Sequence, residues 1–178
     1  MTTTDLLRYP VGHYRPPEVI SDQEISRWIE TLAAFPARLH GLVSPLNDAQ
    51  LDTPYRPGGW TVRQLVHHVA DSHVNSYVRF KWAMTEDNPT IKTYDQDFWA
   101  AETDSKTAPV AFSLDLLAAL HRRWVFYLRS FAPGAFGRTF YHPEMERNIR
   151  LDWLLGMYAW HCDHHYAHAA ALIEREGW

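Results

Sequence analysis

The last long segment of the chain, residues 151–173, reads LDWLLGMYAWHCDHHYAHAAALI. Its only acidic residues are Asp152 and Asp163, so apolar and aromatic side chains occupy almost the whole circumference of the helix that it predicts. A helix that is apolar nearly all round is buried on more than one side. We therefore expect this helix to be covered both by other helices and by a second copy of the chain in a homodimer.

Three earlier segments also carry apolar residues at helical spacing, each beginning at a residue suited to cap a helix. The expected starts are Ser21, Thr61 and Ser113, with Asp152 as the N-cap of the last helix, and the helix from Thr61 runs to about Glu86. No strong alternating pattern of strands accompanies them. The sequence predicts an all-α fold, an antiparallel four-helix bundle with long crossing loops.

The connections between these helices differ in composition. Residues 1–19 contain three prolines and predict an extended N-terminal arm. Residues 44–60 predict a connector with at most one short turn of helix. Residues 87–112 are polar and long for a structureless loop, so we expect them to be functional or locally folded. The length of 178 residues fits a single domain, residues 1–178.

Composition excludes several classes of protein. Seventeen Lys and Arg residues against twenty-one Asp and Glu residues give a net charge of −4, which provides no basic surface for nucleic acid. No apolar run approaches the roughly 20 residues of a membrane span, and the N-terminus lacks the pattern of a signal peptide. We expect a soluble, cytoplasmic protein. The single cysteine, Cys162, cannot form an internal disulfide or a thiolate metal site by itself.

Histidines supply the alternative ligands, and four of the eleven fall within residues 161–168. Histidines four residues apart lie one above the other on a helix face, where two imidazoles can chelate one ion. Two such pairs compete here, His161 with His165 and His164 with His168. The spacing alone does not choose between them.

A third ligand is expected from the helix that begins at Thr61, in either His67 or His68, with His73 further along the same helix. Bundles build metal sites from side chains on facing helices. Ligands made only of imidazole suit Zn, Ni, Cu or Fe and do not suit Mg or Ca. Three protein ligands leave an open position, as in catalytic metal sites.

With these residues identified, the sequence resembles the DinB-like superfamily, and specifically its YfiT-type branch. In this family the first ligand comes eight residues after a tryptophan that precedes a helix, and the other two form an H-x-x-x-H pair ending on the second of two adjacent histidines. The resemblance implies His68, His161 and His165 as the metal ligands. It rests on LRYPVG at 7–12, YRPGGWTVRQLVHHVADSH at 55–73, TEDNPTIK at 85–92 and YAWHCDHH at 158–165.

The resemblance implies a metal-dependent S-transferase that adds a small thiol such as bacillithiol to an electrophilic substrate, with one divalent metal per chain, zinc first and nickel as the alternative. A bound cation stabilises a thiolate near neutral pH. The alternatives are a hydrolase with a metal-activated water, for which Asp71 or His73 could act as base, and a non-catalytic metal-binding dimer. His13 replaces the lysine expected in this branch. The candidate cations for the thiol's carboxylates are Arg56, Arg63, Arg79 and Lys81.

Overall fold

A computed structural model describes residues 7–178, so residues 1–6 of the predicted arm lie outside the described part of the chain. Between residues 22 and 176, four long helices account for most of the structure, and three short helices, a turn of 3-10 helix and one hairpin connect them. The elements are α1 (Asp22–Val43), α2 (Asp48–Leu51), α3 (Val62–Thr85), α4 (Gln96–Ala100), α5 (Thr103–Thr107), α6 (Val110–Arg129), the 3-10 turn (Ala135–Gly137), β1 (Thr139–His142), β2 (Arg147–Arg150) and α7 (Leu151–Glu176).

The four long helices form a bundle in which each helix packs against two others, in the order α1, α6, α3, α7 around the core. Paired contacts give their relative directions. Two pairs of neighbours are parallel. Helix α1 meets α7 through Trp28 and Gly156 and through Arg38 and Asp163, and α3 meets α6 through His67 and Ser113 and through Phe80 and Trp124. The antiparallel neighbours are α3 with α7, through His68 and His165 and through Ser72 and Tyr158, and α1 with α6, through Glu30 and Arg129 and through Leu32 and His121. The predicted all-α four-helix bundle with long crossing loops is confirmed, and two of its four neighbouring pairs are antiparallel while the other two are parallel.

The directions of α3 and α6 explain why the segment that connects them is long. Because α3 and α6 are parallel neighbours, the chain must return along the bundle before α6 can start. Residues 86–109 make this return and carry the short helices α4 and α5. The expectation that this polar segment is locally folded is therefore confirmed.

Local capping fixes the starts of two long helices. At α1 and α3 the side chains of Ser21 and Thr61 accept from the backbone N–H of Glu24 and Gln64, and the Glu24 and Gln64 side chains accept from the cap backbone in return. Both predicted starts are confirmed. The helix α1 continues through Pro36 to Val43.

The other two predicted starts are wrong. The helix α6 begins three residues earlier than Ser113, after Pro109, and Ser113 is buried inside it with its hydroxyl on His67. The helix α7 is capped by Arg150, while Asp152 lies buried in its first turn and pairs with that arginine. In both cases another side chain binds the polar group that was expected to cap the helix. His67 binds the Ser113 hydroxyl, and Arg150 binds the Asp152 carboxylate.

The hairpin of β1 and β2 was not predicted. Its register pairs Phe140 with Ile149, and these two are its only buried side chains. Strands of four residues with one inward side chain each are too short to show an alternating pattern.

The N-terminal arm covers part of α7. The hydroxyl of Tyr14 donates to the carbonyl of Trp153 (3.2 Å), and the indole N–H of Trp160 donates to the carbonyl of Gly12 (3.0 Å). A Cβ added at Gly156 would lie 2.5 Å from the Tyr14 hydroxyl, so this close approach requires glycine. Together α1, α3, the hairpin and the arm cover much of α7 and bury most of its apolar side chains.

No helix within residues 7–178 has the length and apolarity needed to cross a bilayer.

Candidate metal centre

Three buried histidines converge where α3 meets α7. One ring nitrogen each of His68, His161 and His165 lies within 4.8 Å of the other two, and we call these three residues the histidine cluster. The Nε2 atoms of His161 and His165 are 3.1 Å apart. Within residues 7–178 this is the only group of three or more potential ligands that converges in this way.

The local structure explains the convergence. His161 and His165 are one turn apart on α7, so their rings project from the same face. The antiparallel packing of α3 brings His68 opposite this pair, with ring centroids 5.5 Å from His161 and 5.0 Å from His165. Trp60, which precedes the cap of α3, packs its indole ring against His68, with the two ring centroids 4.5 Å apart.

Burial keeps the histidine cluster uncharged. Burial lowers the pKa of His68 to about 3, and electrostatic repulsion from His164 lowers it by a smaller amount. Burial also lowers the pKa values of His161 and His165 well below the usual value. A neutral imidazole has one nitrogen with a free lone pair. Three such nitrogens that face one another form a set of donors for a cation, and no proton has to be displaced to free them at neutral pH.

A chain of hydrogen bonds fixes the tautomer of His161. The carbonyl of Leu32 can only accept, so Nδ1 of His121 donates to it (2.7 Å), which leaves Nε2 of His121 as an acceptor. Nδ1 of His73 then donates to that nitrogen (2.7 Å), and Nε2 of His73 accepts from Nδ1 of His161 (3.1 Å). Nε2 of His161 therefore carries the lone pair, and it is this atom that faces His165.

Burial supports this arrangement, because it lowers the pKa of His121 to about 4 and that of His73 well below the usual value. Both rings are at most 1% exposed. One ring nitrogen of His73 contacts His161, and the other contacts His121. His121 was not predicted, because it lies 48 residues from His73 in sequence.

The remaining histidines take other positions. His67 points away from the cluster and bonds to the Ser113 hydroxyl (2.7 Å) and the Ala108 carbonyl (3.1 Å). His164 and His168 form a second close pair, with their Nε2 atoms 3.2 Å apart. Among residues 7–178 no third ligand converges on that pair, so the structure brings together the set that includes His161 and His165.

Asp71 is not among the residues that line the cavity beside the cluster. Burial and the nearby charge of Asp104 raise the pKa of the Asp71 carboxyl to about 6. Cys162, next to His161 in sequence, is completely buried in the core, and burial raises the pKa of its thiol well above the usual value.

The cluster forms part of the wall of a cavity of about 960 Å³. Two of the four candidate cations, Arg56 and Arg79, also line this cavity. Arg63 does not, because it is buried against Asp48, Asp52 and the Ala108 carbonyl, and Lys81 lies over the ring of Tyr127. Of the four candidate cations, Arg63 and Lys81 therefore do not line the cavity, and both have structural partners instead.

Several cavity residues were not predicted as part of a site. They come from the N-terminal arm, from the connector before α3, from the segment after α3, from the hairpin and from α7 itself, and sequence patterns place none of the first four next to the cluster. The main ones are Tyr9, Trp60, Tyr94, His142, Trp153 and Trp160.

Comparison with known proteins agrees with this geometry. YfiT of Bacillus subtilis (strain 168), named "Putative metal-dependent hydrolase YfiT", is 50% identical over 178 residues, which cover 100% of this chain and 99% of that protein. A relative from Bacillus pumilus (strain SAFR-032) with the same functional name is 49% identical over 172 residues, 97% of this chain and 98% of the relative.

The solved structure of B. subtilis YfiT is also similar. It is described as a probable metal-dependent hydrolase with an unusual four-helix bundle topology, and it matches with a TM-score of 0.95 over 97% of this chain and 99% of that chain. The sequence model of the DinB superfamily matches residues 31–169. The chain therefore belongs to the DinB superfamily.

Proposed function

We propose that this protein is a metal-dependent hydrolase in which His68, His161 and His165 bind one divalent cation. The observation that carries the proposal is the convergence of three buried, neutral imidazole nitrogens on the wall of a cavity. The names of the relatives from B. subtilis and B. pumilus support the same class of enzyme.

The residues present fit such an ion. Two Nε2 atoms 3.1 Å apart either share a proton or face a common cation, and the tautomer of His161 leaves its Nε2 without a proton. Nitrogen donors of this kind favour zinc or nickel over magnesium or calcium. Three protein ligands leave at least one position for a small molecule, as is usual in catalytic zinc sites.

The ion would supply a hydroxide at neutral pH by lowering the pKa of a coordinated water. The protein's own contribution is to hold the donors in place: His73 and His121 fix the ring of His161, and Trp60 covers His68. The cavity beside the cluster would hold the substrate next to the ion.

A second candidate function is the thiol S-transferase. One observation favours it. Within residues 7–178, no Asp or Glu carboxylate belongs to the group of ligand atoms that lie within 4.8 Å of one another. A hydrolase gains from such a base, whereas a coordinated thiolate is already a nucleophile and needs none. In this reaction the thiolate sulfur forms a bond to carbon of the electrophile, and the leaving group departs with the bonding electrons.

The effect of added thiol separates the two functions. For a hydrolase, the metal-loaded protein cleaves simple esters or amides without thiol, and bacillithiol or cysteine inhibits by occupying the open position. For a transferase, a halogenated bimane or an epoxide is converted to a thioether only when metal and thiol are both present. Thiol-dependent thioether formation without hydrolysis would overturn the hydrolase proposal. Metal binding without turnover in either assay would favour a non-catalytic metal-binding protein.

A further inference from the structure

Arg79 is a buried cation without a partner among residues 7–178. Its side chain lines the cavity and is 7% exposed, yet it makes no hydrogen bond or ion pair with any side chain or carbonyl of residues 7–178. Its Nε atom is fully buried and unpaired. Arg63, on the same helix and equally buried, shows the usual solution: two carboxylates and a carbonyl surround its guanidinium group.

The contrast between the two arginines points to a ligand. Removing a charge from water is costly unless the charge is paired and hydrogen-bonded, so buried arginines in proteins have anionic partners. For Arg63 the chain itself provides them. For Arg79 the described chain provides none, and the open side of the guanidinium group faces the cavity.

A second group beside Arg79 also lacks a partner. Among residues 7–178 the buried hydroxyl of Tyr94 has no hydrogen-bond partner at bonding distance, although the Ser72 hydroxyl lies close enough to lower its pKa, and it lines the same cavity. Burial raises the pKa of this hydroxyl above its usual range, so it remains a donor, and the charge of Arg79 acts on it in the opposite direction. A guanidinium group and a hydroxyl that both lack acceptors form a site for an oxyanion.

No carboxylate of residues 7–178 forms an ion pair with Arg79, and Asp71, whose charge acts on Tyr94, does not line the cavity. Burial and the charge of Arg79 lower the pKa of His142, so the His142 ring beside Arg79 is neutral at pH 7. The acidic residues that line the cavity, Asp95, Asp97 and Glu144, are all exposed to solvent. Asp95 caps α4, and Asp97 accepts from the indole of Trp60.

The position of Arg79 sets the length of the ligand. His68, Ser72 and Arg79 follow one face of α3 and all line the cavity. Eleven residues of α-helix separate His68 from Arg79, a rise of about 16 Å between their Cα atoms. A ligand that reaches both residues is therefore elongated.

We propose that Arg79 and Tyr94 bind a carboxylate group of the substrate, and that the substrate is an elongated monocarboxylate whose other end lies against the histidine cluster. One buried guanidinium group balances one negative charge and matches the two oxygens of a carboxylate. The assignment of the far end as the reacting end rests on the proposed function. The anion site itself does not.

The anion site is tested first on the metal-free protein, by titrating hexanoate and, separately, inorganic phosphate while following the melting temperature. Hexanoate should stabilise wild type and the control Lys81→Gln, which removes one charge from the same helix outside the cavity. In Arg79→Gln the apparent affinity for hexanoate should fall about tenfold or more, the loss expected for one charge-assisted hydrogen-bonded pair. Tyr94→Phe should show a smaller loss, and Arg79→Lys an intermediate one.

The length of the ligand is tested on the metal-loaded protein with two probes of equal chain length, suberic monohydroxamate and the neutral octanoyl hydroxamate. The carboxylate should improve binding about tenfold or more in wild type, and Arg79→Gln should abolish this advantage while leaving octanoyl hydroxamate unchanged.

The outcomes separate the two proposals. If hexanoate fails to stabilise wild type, or stabilises Arg79→Gln equally, the anion site is wrong. If only phosphate stabilises wild type through Arg79, the carboxylate assignment is wrong. If neither hydroxamate binds in a metal-dependent way, the proposed metal function fails, and the hexanoate titration still decides the anion site. If the hydroxamates bind equally in wild type, the elongated substrate is overturned.

Discussion

Nε2 of His73 lies 3.1 Å from Nδ1 of His161. The other ring nitrogen of His73 donates to Nε2 of His121, and Nδ1 of His121 donates to the backbone carbonyl of Leu32. His73 on α3 and His121 on α6 thus hold His161 of the histidine cluster in a single tautomer. In metal sites such outer partners orient the ligand and raise its basicity.

Replacing His73 with Phe should therefore lower metal affinity about 10- to 100-fold, the usual effect of losing an outer hydrogen bond to a ligating histidine. His121→Phe should have a smaller effect, because His73 stays next to His161. Competition against a chromogenic chelator measures both. The matched control is His67→Phe, a buried histidine of the same helix bonded to Ser113 instead of the cluster. Equal losses in His67→Phe and His73→Phe would show that the effect is general destabilisation.

The histidine cluster predicts about one divalent metal per chain. His68→Ala, His161→Ala and His165→Ala should each lose most of the metal, whereas His164→Ala should keep it, because the pair of His164 and His168 has no third converging ligand in the described chain. Elemental analysis after gentle purification, followed by titration with zinc and nickel, gives the content. An empty His164→Ala together with a loaded His165→Ala would mean that the wrong pair has been assigned.

The raised pKa of Asp71 predicts how the free energy of unfolding depends on pH. Its pKa is raised from 3.8 to about 6 in the folded state, so the folded protein binds this proton more tightly than the unfolded chain. The stabilisation is fully present below about pH 4 and is lost as the pH rises through about 6. Asp71→Asn should therefore be more stable than wild type at pH 7.5, with a difference that shrinks toward pH 4. Urea unfolding at several pH values measures this, and an unchanged difference across the range would contradict it.

Cys162 should be structural. It points about 100° around the helix from His161, and its side chain is fully buried. Cys162→Ser should leave metal content and turnover unchanged but cost about 1–3 kcal/mol of stability, because the serine hydroxyl would be buried without a partner. Denaturant unfolding and metal analysis of the same preparation test this. Loss of metal from a folded Cys162→Ser protein would identify the cysteine as a ligand.

Features set by neighbouring residues could be predicted from the sequence. The capping boxes at Ser21 and Thr61 act within three residues, so they give the starts of α1 and α3 without tertiary information. The spacing of His161 and His165 likewise places both rings on one face of a helix. The same spacing also allows His164 with His168, and here the pattern was insufficient until the family resemblance selected the first pair.

The remaining features depend on which helices meet and in which direction. The resemblance selects His68 over His67, and the packing gives the physical reason: only His68 faces α7 in the antiparallel pair of α3 and α7. His121 completes the hydrogen-bonded chain only because α6 lies beside α3. Arg63 and Arg79 look alike in the sequence, yet one is surrounded by carboxylates and the other faces the cavity alone. A pattern of residues determines the face of a helix, whereas the partners of a buried charge depend on long-range packing, and so only the tertiary structure distinguished these two arginines.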